Sequence, residues 1–168
     1  MLLFLDTEFT DFDDCDLISV GLVSEDGKYE FYAERTDYRH DWANSFVRTD
    51  IIPHLGRFPG VACTGEELTR RLWAWFGTLP RRVQLACDSA RDHDLLWSAF
   101  VQGLPPNLDK TIYDLRGLID TTVFHDAVCR YHEQPDHPWH HAFHDASAHR
   151  AGWMAWMDHK RNERPTCR

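Results

Sequence analysis

The sequence predicts an α/β or α+β domain, a sheet with helices packed on it, and three observations carry that prediction. The chain opens on an apolar run, Leu2 to Phe9, whose lack of polar alternation suits a strand covered on both faces. Two more strand patterns follow, joined by a hairpin signal. From Thr64 onward, helical and strand patterns alternate to the end of the chain. With 168 residues, 43% of them hydrophobic and 13% aromatic, the chain can bury a sizeable core, and residues 1–168 are read as one domain.

Taken in order, Thr10 to Asp16 is a polar, acidic turn, and Leu17 to Ser24 is the second strand. Glu25-Asp26-Gly27-Lys28 is the hairpin signal, and Tyr29 to Ala33 alternates as a third strand, so the chain begins as an antiparallel meander. Arg35 to Gly60 is less regular, with room for a short helix over Ser45 to Leu55 stopped by Pro53. Thr64-Gly65-Glu66-Glu67 is a capping box that opens a helix to Gly77, with Leu68, Leu72, Trp73 and Phe76 as its apolar stripe. Val83 to Cys87 is a short apolar strand, and Arg91 to Val101 is helical with Leu95, Leu96, Ala99 and Phe100 inward. Leu104 to Leu108 is a proline-containing loop, Thr111 to Leu115 a last strand, and Thr121 to Glu133 a helix. Gln134 to His141 forms a Pro- and His-rich loop, and Phe143 to Arg161 the final helix.

Composition excludes several classes. The five cysteines, Cys15, Cys63, Cys87, Cys129 and Cys167, are odd in number, scattered and never spaced Cys-x-x-Cys, which favours reduced thiols over a disulfide framework or a thiolate zinc site. The opening run lacks a basic flank and meets Asp6 after a few residues, so it reads as neither a signal peptide nor a membrane span; the expectation is a soluble, cytoplasmic protein with no membrane partner. A formal net charge of -9 argues against a protein that holds nucleic acid by neutralising its phosphates. It leaves room for an enzyme that grips a chain end through metal ions.

The acids are where the chemistry gathers. On a strand, residues two apart share a face, so Asp6 and Glu8 project side by side from the end of a buried element. Carboxylates held that close repel unless a cation lies between them, and a divalent ion with oxygen ligands is the usual solution. Asp88, Asp92 and Asp94 follow the strand that ends at Cys87; for Asp88 and Asp94 helix capping is the ordinary explanation. His140, on a loop, precedes Asp145 by five residues, and the small Ala142 and Ala146 beside them let that helix approach a sheet closely.

Asp6-Thr7-Glu8, Asp92 before Leu95 and Leu96, and His140-x-Ala-x-x-Asp145-Ala together resemble the three motifs of the DEDDh family of 3′-to-5′ exonucleases, within the ribonuclease H-like superfamily. The Asp-Thr-Glu-Phe opening and the Leu-Ile-Ser-Val-Gly strand look most like the compact bacterial exoribonucleases related to the mycobacterial adenosine-preferring enzyme. One departure bears on alignment: relatives often carry Asn four residues before the second-motif aspartate, where this chain has Asp88, so either Asp88 or Asp92 can be argued as the ligand. Leu95-Leu96 favours Asp92.

The resemblance implies a ribonuclease H-like mixed five-stranded sheet flanked by helices. It also implies a metal-dependent exoribonuclease that releases nucleoside 5′-monophosphates from the 3′ end of single-stranded RNA or a 3′ overhang. Two Mg2+ ions roughly 4 Å apart, with Mn2+ as a substitute, would serve the attacking water and the leaving oxygen. Asp6 would bridge them, Glu8 and Asp145 would complete the site for the water, Asp92 would hold the second ion, and His140 would act as general base. Thr7 and Phe9 are the candidate substrate contacts, with Phe9 either a stacking face for a base or a core aromatic. Arg35, Arg39, Arg81 and Arg82 read as solvated surface residues, and Trp153, Trp156 and Met157 as core or subunit interface; a homodimer is expected by resemblance.

Other readings are an exonuclease acting mainly on DNA, a non-catalytic nucleic-acid-binding module on the same fold, and a zinc-binding protein. The zinc reading is motivated by His132, His137, His140, His141, His144 and His149. His140 and His144 have the i, i+4 spacing of a zinc helix, but the Glu of a His-Glu-x-x-His motif is absent.

Overall fold

The computed structural model describes residues 1–163; Cys167 lies outside them, and Cys15, Cys63, Cys87 and Cys129 are free thiols. Strands β1 (Leu2–Phe9), β2 (Leu17–Ser24), β3 (Glu30–Arg35), β4 (Ala62–Cys63), β5 (Val83–Cys87) and β6 (Leu108–Asp114) form one mixed sheet in the order β4-β3-β2-β1-β5-β6. The first three make the antiparallel meander, while β5 runs parallel to β1 and β6 parallel to β5. β1 is thus a central strand, as its unbroken apolar run requires. The sixth strand, beyond the five expected, is β4, two residues paired with Glu34 and Arg35 of β3; so short a strand has no periodicity to read.

The helices are α1 (Gly65–Thr78), α2 (Ala90–Ser98), α3 (Arg116–Ile119), α4 (Thr122–His132) and α5 (Ala142–Glu163). Thr64 caps α1 by accepting from the Glu67 N–H, but Glu67 closes only half of the capping box, since its carboxylate pairs with Arg71 at 2.6 Å. Residues 35–60 hold short turns of helix, with Val47 and Ile51 buried against Ile18 and Tyr38. None of the described helices is long and apolar enough to cross a membrane.

Alternation along β1 separates two cores. Leu3 and Leu5 pack with Leu68, Leu72 and Phe76 of α1 and Leu95 and Leu96 of α2. Phe4 points the other way, to Phe124 and Val128 of α4 and Ala148 of α5, and its ring lies 5.6 Å from that of Trp153. This three-layer arrangement is the ribonuclease H-like α/β fold. It also decides where the acids go, because Asp6 and Glu8 share the parity of Phe4 and face the α4 and α5 layer.

Candidate active site

Close approach of α5 to the sheet builds the site. Asp6 pairs in register with Gly21 of β2, and α5 begins directly over that glycine, where a Cβ would meet the carbonyl oxygen of Ala142 at 2.3 Å. Ala142, Ala146 and Ala148 are fully buried at the contact. The helix therefore delivers Asp145 to the end of β1, and ligand oxygens of Asp6, Glu8 and Asp145 all lie within 4.8 Å of one another. The three acids line one shallow pocket of about 210 Å³ with Thr7, Asp88, His132, Trp139, His140 and His149. A larger groove of about 620 Å³ beside Trp73 and Val101 holds no such cluster.

Electrostatics make the cluster costly without a cation. Asp6 is held well above the usual carboxylate range, first by burial and then by Asp92, Asp145, Glu8 and Asp88. Glu8, only 7% exposed, is raised by burial, Asp145 and Asp92. The donor chemistry fits a divalent ion: hard oxygen ligands, close together, that gain from positive charge.

Asp92 comes from α2, in the opposite layer. It is buried, and its carboxylate accepts from the Thr7 hydroxyl at 2.6 Å. Burial pushes it up to about 7 against the pull of that hydrogen bond, with Asp88 adding to the rise. Thr7 borders the pocket, yet its hydroxyl is committed to Asp92. Phe9 is half-buried, edge-on to the exposed Phe12 and packed against the core. Asp88 is not a helix cap: Ser89 caps α2 by accepting from the Arg91 N–H, which leaves Asp88 free to face Asp6.

His140 stands at the pocket rim, exposed, with a left-handed backbone (φ 59°) and its ring edge-on to Phe46 at 4.8 Å. The histidines around it have structural duties. His132 Nδ1 donates to the carbonyl of His137 at 3.0 Å, and His137 Nδ1 donates to that of Tyr131 at 3.0 Å, which staples the loop to the end of α4. His132 Nε2 stands 3.2 Å from one Asp145 oxygen while the His141 N–H donates to the other at 2.9 Å, and Trp139 stacks on His132 at 3.9 Å. His141 and His144 are buried and each pushed down to about 4, by burial first and then by neighbouring histidines. His140 and His144 share no cluster of three potential ligands among the described residues.

His149 was visible in the sequence only as one more histidine. It lies one turn beyond Asp145 on the same face of α5, the i, i+4 relation that could have found it, and its ligand atom joins those of Asp6 and Asp88 within 4.8 Å. The surface arginines are tied up in ion pairs, Arg35 with Asp16 and Asp37, Arg81 with Glu25 and Arg82 with Asp109, and Arg39 lies over Trp42.

No protein-family model matches the chain. A 3′-5′ exoribonuclease of Mycobacterium tuberculosis, in strains CDC 1551 and H37Rv alike, is 32% identical, over 70% of this chain and 73% of the relative. Among solved structures, S. pombe Pop2p in its Mg2+ and Mn2+ bound form is similar with a TM-score of 0.58 at 16% identity, over 90% of this chain and 81% of that one, a likeness of fold alone.

Proposed function

The chain belongs to the family of 3′-5′ exoribonucleases, and on that premise we propose that it shortens single-stranded RNA or 3′ overhangs from the 3′ end, releasing nucleoside 5′-monophosphates, with the acid cluster around Asp6 as its metal centre. The observation that carries this reading is the convergence of Asp6, Glu8 and Asp145 on one pocket, three carboxylates whose mutual repulsion calls for a cation. As the DEDDh motifs imply, Asp6 would hold the cations together with Glu8 and Asp145, whose ligand oxygens lie within 4.8 Å of its own. Asp92, held by Thr7, adds charge from beneath. Divalent cations bound there, Mg2+ or Mn2+, would loosen the proton of the attacking water and stabilise the leaving 3′-oxygen.

The protein's own groups do the rest. His140, on the open rim, takes the proton from the water at a ring nitrogen, and its exposure lets it hand that proton on to solvent. The His141 N–H donates to one oxygen of the Asp145 carboxylate, and His132 Nε2 stands 3.2 Å from the other, so the side chain is seated between them at the pocket. Trp139 and Phe46, both exposed beside His140, offer stacking faces to the terminal bases, and Phe9, next to Glu8 in the chain and edge-on to the exposed Phe12, is a further candidate contact. The enzyme is taken to work as a homodimer in the cytoplasm, which light scattering and fractionation would test.

The test is a time course on 5′-labelled single-stranded RNA and DNA of one sequence, with Mg2+, Mn2+ or EDTA, and with His140→Ala as control. A cation-dependent ladder that shortens from the 3′ end, faster on RNA and lost in the variant, supports the reading. Faster cleavage of DNA would reassign the substrate, and no cleavage of either strand would overturn the assignment.

A further inference from the structure

The pocket holds two further potential ligands, Asp88 and His149, that the carboxylate triad does not use. Asp88 directly follows β5 and His149 lies on α5, so three separate elements bring Asp6, Asp88 and His149 together with ligand atoms within 4.8 Å. His149 Nε2 and Asp88 Oδ2 are 3.6 Å apart, too far for a hydrogen bond, and both side chains are largely buried, at 13% and 29% exposure. No hydrogen bond among the described residues ties either side chain elsewhere, and His149 Nδ1 is buried without a partner. Glu8, 93% buried by its 7% exposure and with no hydrogen bond to offset its burial, lines the same pocket. Polar groups that converge with a gap between them, in a place where a charge is costly to bury, are arranged for an ion.

We propose that Asp88 and His149 form with Asp6 a second cation site beside the carboxylate triad, a mixed oxygen and nitrogen donor set that takes Mn2+ in preference to Mg2+. The proposal rests on the reading above that the cluster holds divalent cations, and it names the residues and the ion for one side of Asp6. Mg2+ keeps its waters and is served by carboxylates, whereas an imidazole nitrogen is a ligand for transition metals. The triad of Asp6, Glu8 and Asp145 is all oxygen and suits either ion. The two sides of Asp6 thus differ in chemistry.

The test is calorimetric titration of the EDTA-treated, dialysed full chain with MnCl2 or MgCl2, together with spin-echo spectra of the bound Mn2+. Wild type should show two classes of Mn2+ site, one of them much weaker for Mg2+, and an imidazole nitrogen modulation in the echo. His149→Gln should abolish the modulation and weaken that site on the order of tenfold or more. Asp88→Asn should weaken the same site with the histidine in place, so the result does not hang on one variant folding. Glu8→Gln should weaken the other site and His140→Gln neither, with the modulation kept in both. A modulation that survives His149→Gln, or disappears with His140→Gln, overturns the proposal and leaves the nuclease reading intact. Wild type that binds no Mn2+ overturns both.

Discussion

Gly21 lies so close beneath the start of α5 that a Cβ built on it would stand 2.3 Å from the carbonyl oxygen of Ala142. Its partner across the β1 and β2 ladder is Asp6, so the residue that admits the helix sits beside the residue the helix serves. The contact is with backbone, which cannot swing aside. Gly21→Ala should cost about 1–3 kcal/mol of stability by overpacking. It should cost activity more heavily, on the order of a hundredfold, because α5 carries Asp145 and His149 away from Asp6 as it lifts. Thermal melts beside cleavage rates check this: a variant with wild-type activity would mean that the helix approach does not set the site.

That role for Gly21 shows what the sequence could and could not convey. Asp6 and Glu8 were legible because strand parity places residues two apart on one face, and Asp145 because its spacing from His140 recurs in a known motif. The strands at 2–9, 17–24 and 83–87 were legible to the residue, being short, largely apolar stretches followed by turn residues. Gly21 read only as part of a strand, since the need for an absent side chain lies in another element 121 positions away, the difference between 142 and 21. Asp88 read as a cap because Asp at the start of a helix usually is one; the neighbouring Ser89 took that role instead. The cluster of histidines suggested zinc, but two of them, His132 and His137, hold a loop in place through carbonyl contacts that no spacing rule encodes.

Acid repulsion gives a stability prediction with a definite sign. Asp6 has an ordinary value of 3.8 and is held well above it in the fold. From about pH 4 upward the unfolded chain therefore releases a proton that the folded chain keeps, and the stability this group contributes, present at low pH, is lost as pH rises through its folded value. Asp6→Asn removes that loss. In EDTA the variant should melt above wild type at pH 8, by ~2–4 °C for each kcal/mol relieved, and the advantage should shrink toward pH 4. Equal melting temperatures at pH 8 would show that the acids do not repel as described.

The hydrogen bond from Thr7 to Asp92, 2.6 Å long and buried, joins two layers of the fold beneath the acid cluster. Thr7→Val keeps the shape and deletes the donor, leaving a buried carboxylate without its partner. A loss of about 1–3 kcal/mol in urea denaturation is expected, with weaker Mn2+ binding. An unchanged unfolding midpoint would mean that solvent replaces the hydroxyl.

Trp139 is exposed at the rim, 45% accessible, and stacked on His132 from its inner side. In the proposed function its outer surface is the stacking face offered to RNA. Trp139→Ala should weaken binding of single-stranded RNA by about 1–3 kcal/mol, measured by fluorescence anisotropy in EDTA so that no cleavage intervenes. Unaltered binding would place the bases elsewhere on the pocket rim.

The central claim is that the cluster at Asp6 makes this chain a cation-dependent exoribonuclease working from the 3′ end. The most direct measurement uses single-stranded RNA labelled in its 3′-terminal nucleotide, in one turnover with excess enzyme and Mg2+ or Mn2+, wild type beside Asp6→Asn. The account predicts that the first labelled product is that nucleotide's 5′-monophosphate, absent in EDTA and absent in the variant. Label released in longer fragments, or released equally by Asp6→Asn, would contradict it.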